Sequence, residues 1–162
     1  MNSSAGVEEA IRKSEIQGLT GIGPALGPET ILLVEDEAFV RQAAAEALES
    51  AGYRLLITGS AAEALEAYRK CVRPVDLLLA DVVMPGTSGR ELVAKFKGLS
   101  PGTRILLMSG YAEQMAACQP SPHARKWLVK PFSIHTLLRA VREALNTNPC
   151  DDAHAQPARV LR

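Results

Sequence analysis

The sequence predicts an α/β fold, a parallel sheet with helices on both faces, on three observations. Short apolar runs alternate regularly with segments of helical period. The runs are dense in Leu, Ile and Val without polar alternation, as strands covered on both faces are. The helical segments open on capping signals. Regular alternation of β and α implies right-handed crossovers and parallel neighbours.

Taken in order, the first residues hold Gly18, Gly21, Gly23, Pro24, Gly27 and Pro28. Such a density of breakers predicts a flexible linker over 1–28, with room for a short helix near residues 6–16. The segment Gly18-Leu-Thr-Gly-Ile-Gly23 lacks the spacing of a dinucleotide loop, and no strand precedes it. One ordered domain is expected over 29–147. Its strands are expected at residues 31–34, 54–58, 75–80, 104–108 and 127–129. Four helices follow from spacing. Val40, Ala43, Ala44, Ala47, Leu48 and Ala51 line the first, and Leu65, Tyr68 and Val72 the second. Leu92, Val93, Phe96 and Leu99 line the third, and Ile134, Leu137, Leu138, Val141 and Leu145 the last. Ser60-Ala-Ala-Glu63 and Ser88-Gly-Arg-Glu91 read as capping boxes, and Ser133 as an N-cap. A further helix, fourth in the succession, belongs between Tyr111 and Arg125. Pro120 and Pro122 stand there, and each proline in a helix interior costs about 3 kcal/mol, so that helix is expected to be short or irregular after Ala117. Residues 148–162 are polar, without period and too few for a DNA-binding output domain. They predict a disordered tail.

Composition narrows the function classes. In 162 residues, 47% are hydrophobic and 22% charged, the balance of a soluble globular chain. The 18 basic and 18 acidic residues cancel, which removes the electrostatic footprint of a dedicated nucleic-acid binder. Cys71, Cys118 and Cys150 are odd in number and widely spaced, so neither a disulfide framework nor a zinc site is indicated, and a reducing cytoplasm fits. Glu8 and Glu9 fall where a signal peptide needs its apolar stretch. No apolar run approaches the roughly 20 residues of a membrane span. A cytoplasmic protein is expected, with neither nucleic acid nor membrane as partner.

The strand ends hold the chemistry. Open α/β sheets bind ligands at the carboxyl ends of their strands, where strand order reverses. The first strand ends in Glu35-Asp36, the third in Asp81, the fourth in Ser109 and the fifth in Lys130. The second ends in Gly59-Ser60, with no reactive group, as suits an edge strand in the order 2-1-3-4-5. Strands one and three are then neighbours, and Glu35, Asp36 and Asp81 converge. Crowded carboxylates cost free energy unless a cation or a raised pKa relieves them. Mg²⁺, a hard cation that takes one or two carboxylates and waters, is the natural relief. The same set suits phosphoryl transfer: an aspartate nucleophile, a metal, and a lysine and hydroxyl to meet the phosphoryl oxygens.

Four segments together resemble the signature segments of response-regulator receiver domains. They are Ile31-Leu-Leu-Val-Glu-Asp-Glu37, Leu77-Leu-Leu-Ala-Asp-Val-Val-Met-Pro-Gly86, Ile105-Leu-Leu-Met-Ser-Gly-Tyr111 and Trp127-Leu-Val-Lys-Pro-Phe132. They stand in the family's order and spacing, over roughly residues 30–146. The resemblance implies a flavodoxin-like (βα)₅ fold, Asp81 as phosphoacceptor, and Glu35, Asp36, Asp81 and the Val83 backbone carbonyl as ligands of Mg²⁺. It implies that Ser109 is the switch hydroxyl, that Lys130 contacts phosphate, and that Pro131 follows a cis peptide. Trp127 stands where the family has a Tyr or Phe that rotates on phosphorylation; its alternative role is core packing. The implied partner is a histidine kinase or a histidine phosphotransfer protein, acting on a monomer or weak dimer.

Two other readings compete. One is a non-switching interaction module of the same fold, or the receiver part of a hybrid sensor kinase, which the glycine- and proline-rich lead and Met108-Ser-Gly-Tyr111 resemble. The other is a phosphohydrolase. Such enzymes place a second acid two residues after the nucleophile, where this chain has Val83, so turnover of a separate substrate is not expected. His123, His135 and His154 sit in no phosphodonor motif.

Overall fold

The computed structural model describes residues 29–110, 126–147 and 159–161. Within them the elements are β1 (Thr30–Val34), α1 (Ala38–Ser50), β2 (Arg54–Thr58), α2 (Ala61–Lys70), β3 (Leu77–Asp81), α3 (Gly89–Leu99), β4 (Arg104–Ser109), β5 (Lys126–Val129), α4 (Ile134–Leu145) and β6 (Arg159–Leu161). Every strand pairing is parallel, in the order β2-β1-β3-β4-β5-β6. The doubly wound order 2-1-3-4-5 expected from the sequence is therefore present. The proline-bearing helix expected between Tyr111 and Arg125 lies outside the described residues, as does the linker over 1–28.

Of the tail expected to be disordered over 148–162, residues 159–161 are described. Arg159–Leu161 runs beside β5, with Trp127 opposite Val160. A three-residue strand is too short to show a period in sequence. It forms here because β5 offers it a row of backbone donors and acceptors.

The central strands are apolar throughout because both their faces are covered. Every residue of β1 and β3 is buried. Ile31 and Leu33 face one way, into a core shared with Ala44, Leu48, Leu138 and Val141 of α1 and α4. Leu32 and Val34 face the other way, toward Ala64, Leu92 and Phe96 of α2 and α3. Each fully buried Leu or Ile side chain contributes about 1.5–3 kcal/mol relative to exposure. At the edge, β2 exposes Arg54 and Ile57.

Helix starts follow their capping chemistry. The hydroxyls of Ser60, Ser88 and Ser133 accept from the backbone N–H groups of Glu63, Glu91 and Thr136. Glu63 itself turns to the N–H of Gly59 at 2.9 Å. Gly52, with φ of 91°, reverses the chain after α1.

Some expected helix-face residues are not in the core. Val72 is fully exposed because α2 stops at Lys70 and the chain turns away. Ala43 and Ala51 are exposed, and Ala45 is buried instead, because the apolar stripe of α1 is centred one residue round. Leu99 and Ile134, at helix ends that overhang the sheet, are exposed as well.

Candidate functional site

β1 and β3 are hydrogen-bonded neighbours, so the residues that follow or end them meet at the carboxyl edge of the sheet. Glu35 follows β1 directly, with its N–H bonded to the Thr58 carbonyl at 3.2 Å. It is completely buried, while Asp36, one residue later, is exposed. Asp81 closes β3 and is buried. One carboxylate oxygen from each of Glu35, Asp36 and Asp81 lies within 4.8 Å of the others.

Lys130 reaches this group from the end of β5. Its Nζ donates to Glu35 Oε2 and to Asp81 Oδ2, both at 2.6 Å, and the long strand separation makes the pairs purely tertiary. Its own N–H is held by the Ser109 carbonyl at 2.8 Å, which ties the ends of β4 and β5 together. The Lys130–Pro131 peptide is cis. Asp81 Oδ1 accepts from the N–H of Val83 at 3.0 Å, so the Asp81 carboxylate is fixed at both oxygens. Ser109 is fully buried at the end of β4.

The electrostatics follow from burial. Desolvation pushes the Glu35 carboxyl above its ordinary range, and the Asp81 charge adds to this. The hydrogen bond and charge of Lys130, and the N–H of Glu37, pull the other way without cancelling it. Burial alone would lower the Lys130 ammonium, but its hydrogen bonds and ion pairs with Asp81 and Glu35 outweigh that and hold it above its usual value. Lys130 therefore stays cationic and pairs with Glu35 and Asp81, while Asp36 stands beside them. An all-oxygen set with this surplus of negative charge fits a hard divalent cation.

Not every candidate is in the cluster. Trp127, three residues before Lys130, is buried in the core among Leu107, Val93 and Phe96. Val83 contributes its N–H to Asp81, and its side chain is exposed at 51%. His135 lies exposed at the start of α4, and His123 and His154 fall outside the described residues.

Two residues at the site had not been singled out in the sequence. Arg41, in the first turn of α1, donates from Nη1 to the carbonyls of Glu35 at 2.6 Å and Asp36 at 3.1 Å. Gly89 opens α3 against the end of β3, where a Cβ would overlap the carbonyl oxygen of Asp81. The available signal for the second was a glycine in a helix's first turn, a poor helix former tolerated where nothing larger fits.

Comparisons with known proteins agree with this geometry. A profile described as "Response regulator receiver domain" matches residues 31–142. The sensor kinase CckA of Brucella abortus is 35% identical over 137 residues, covering 84% of this chain and 14% of that protein. The response regulator receiver protein CpdR of the same organism is 34% identical over 118 residues, 71% of this chain and 95% of that protein. Among solved structures, the receiver domain from hybrid histidine kinase CckA superposes with a TM-score of 0.62 at 34% identity, covering 72% of this chain and 99% of that one. The chain spans about a quarter or less of the length of the larger relatives it matches. With the family's signature segments meeting at one sheet edge and its profile spanning the domain, the chain belongs to the response regulator receiver domains.

Proposed function

We propose that this chain is a phosphoacceptor whose nucleophile is the carboxylate of Asp81. A carboxylate oxygen attacks phosphorus of a phosphohistidine, an acyl phosphate forms, and the P–N bond breaks with its electron pair returning to the imidazole. The observation that carries this reading is Lys130 Nζ, shared at 2.6 Å between Asp81 and the buried Glu35, beside a third carboxylate. Glu35, Asp36, Asp81 and the carbonyl of Val83 would hold Mg²⁺, which when bound neutralises charge on the phosphoryl oxygens. Lys130 pairs with one phosphoryl oxygen as a point charge, and the Ser109 hydroxyl hydrogen-bonds another. The protein positions and neutralises, and little else is required of it.

The likeness to a sensor kinase receiver supports a histidine kinase or histidine phosphotransfer protein as donor, and the cytoplasm as the compartment. The reading also includes the expected organisation, a linker over 1–28 and a receiver over 29–147. The test is mass spectrometry after incubation with acetyl phosphate and Mg²⁺. A single phosphoryl adduct is expected on the wild type and none on Asp81→Asn; equal labelling of the two would sink the proposal.

A second reading, a receiver-fold interaction module that does not switch, is favoured by one observation: Trp127 is packed in the core at 3% exposure. Partner affinity measured with and without beryllofluoride separates the two. A change on adding the phosphoryl mimic argues for switching, and none argues for the module.

A further inference from the structure

β2 ends in Gly59-Ser60, the strand end to which the sequence assigned no chemistry. The structure gives it a neighbour. The Arg41 guanidinium folds back from α1 under the loop between β1 and α1, where one nitrogen bonds the carbonyls of both Glu35 and Asp36. It passes Gly59 so closely that a Cβ there would stand 3.2 Å from Arg41 Nη1 and 3.7 Å from Glu63 Oε2. The N–H of Gly59 is in turn held by Glu63 Oε2 at 2.9 Å. Gly59 is therefore the bare wall of a slot that seats a guanidinium.

We propose that Arg41 is a positioning residue for the acidic pair, with Gly59 kept free of a side chain to admit it. Glu35 and Asp36 leave a strand into a loop, and only a fixed peptide geometry turns two consecutive carboxylates toward Asp81 rather than to opposite sides, as strand alternation would. A donor that grips both carbonyls supplies that geometry. Groups that orient ligands without touching the metal typically matter to affinity. The inference rests on the cation reading of the preceding section and deepens it.

Charge and position make opposite forecasts here. If Arg41 acted only through its charge, its removal would strengthen cation binding, because a positive group near the carboxylates repels a cation. If it positions, its removal weakens binding. The experiment uses the full chain and Mn²⁺ as the probe, with free Mn²⁺ read by electron paramagnetic resonance. Arg41→Ala is expected to bind about tenfold more weakly than the wild type, as loss of an outer-shell partner does. Arg41→Gln keeps a donor for one carbonyl and is expected to recover part of that loss. Gly59→Val, which crowds the guanidinium without removing it, is expected to weaken binding in the same direction as Arg41→Ala, and the double variant to be no weaker than Arg41→Ala alone. Thermal unfolding of each variant identifies any that fails to fold, and the others still decide the matter. Binding by Arg41→Ala as tight as the wild type or tighter, or additive losses in the double variant, overturns the inference and leaves the cation reading standing. A wild type that takes up no Mn²⁺ overturns both.

Discussion

At the amino end of the sheet, most of the buried polar groups have found partners. Thr30 N–H donates to Asp76 Oδ2 at 2.8 Å, the Asp76 N–H returns to the Thr30 carbonyl, and the Asp76 carbonyl takes the N–H of Arg104. The buried Thr103 hydroxyl lies 2.8 Å from the Val75 carbonyl and 2.7 Å from the Ser100 hydroxyl. Arg142 meets Glu29 at 3.0 Å and stands over the Tyr53 ring. At the carboxyl end, three carboxylates gather, and Lys130 pairs with two of them, Glu35 and Asp81. Both ends bury polar atoms, but the first arrangement is nearly saturated and the second is short of positive charge. Saturation fixes a fold; a deficit of cations invites a ligand. Two buried atoms of the amino end, Glu29 Oε2 and Arg142 Nε, are left without a hydrogen-bond partner among the described residues.

The sharpest way to break this contrast is Lys130→Ala. It strands Glu35, which has no exposure, beside Asp81, and removing one partner of a buried ion pair costs about 3 kcal/mol. Urea unfolding should show that loss together with absent phosphoryl uptake; unchanged stability would mean that the lysine does not hold the cluster. Next in size is Gly89→Ala. The added methyl must push the Asp81 carbonyl aside, and forced overpacking costs about 2 kcal/mol, so stability and phosphoryl uptake should fall together.

Thr103→Val carries the contrast to the other end. It removes a buried hydroxyl whose acceptor, the Val75 carbonyl, is then left unpaired, at a cost of about 1.5 kcal/mol. Phosphoryl uptake per folded molecule should not change, and a change would tie the amino end to the chemistry. The smallest effect is a pH arm. Burial, only partly offset by Arg142, raises the Tyr53 phenol above its ordinary value. The folded state thus holds that proton longer than the unfolded one, so its contribution is complete below the unfolded pKa and is lost as pH rises through the folded one. Tyr53→Phe should flatten part of the fall in melting temperature at alkaline pH and leave the acid side alone.

The sequence showed some of this more readily than the rest, for physical reasons. Strands buried on both faces are uninterrupted apolar runs, so β1 was legible to within one residue and β3 to within two. Serine hydroxyls announced α2, α3 and α4 because capping is local. Glu35, Asp36, Asp81, Ser109 and Lys130 stood out because polar residues that end apolar strands fall at the carboxyl edge of an α/β sheet, where ligands bind. Arg41 did not, because its bonds go to backbone carbonyls, which every residue has, and its seat is an absence of side chain at Gly59. Ala45 was missed for a similar reason: alanines fill α1 on several sides, and small apolar residues do not mark a face. β6 was beyond reach because its only described support is the neighbouring strand.

That last strand decides where the molecule is open to other backbones. With β6 in place, β5 is an interior strand, and among the described residues the sheet's margins are β2 and β6. β6 offers three residues, a blunt margin that pairs poorly with anything further. β2 offers five, Arg-Leu-Leu-Ile-Thr, with Ile57 exposed at 45%. Crowded solutions of this protein should therefore associate strand to strand through β2, and a charge placed at Ile57 is the substitution that would keep concentrated samples clear.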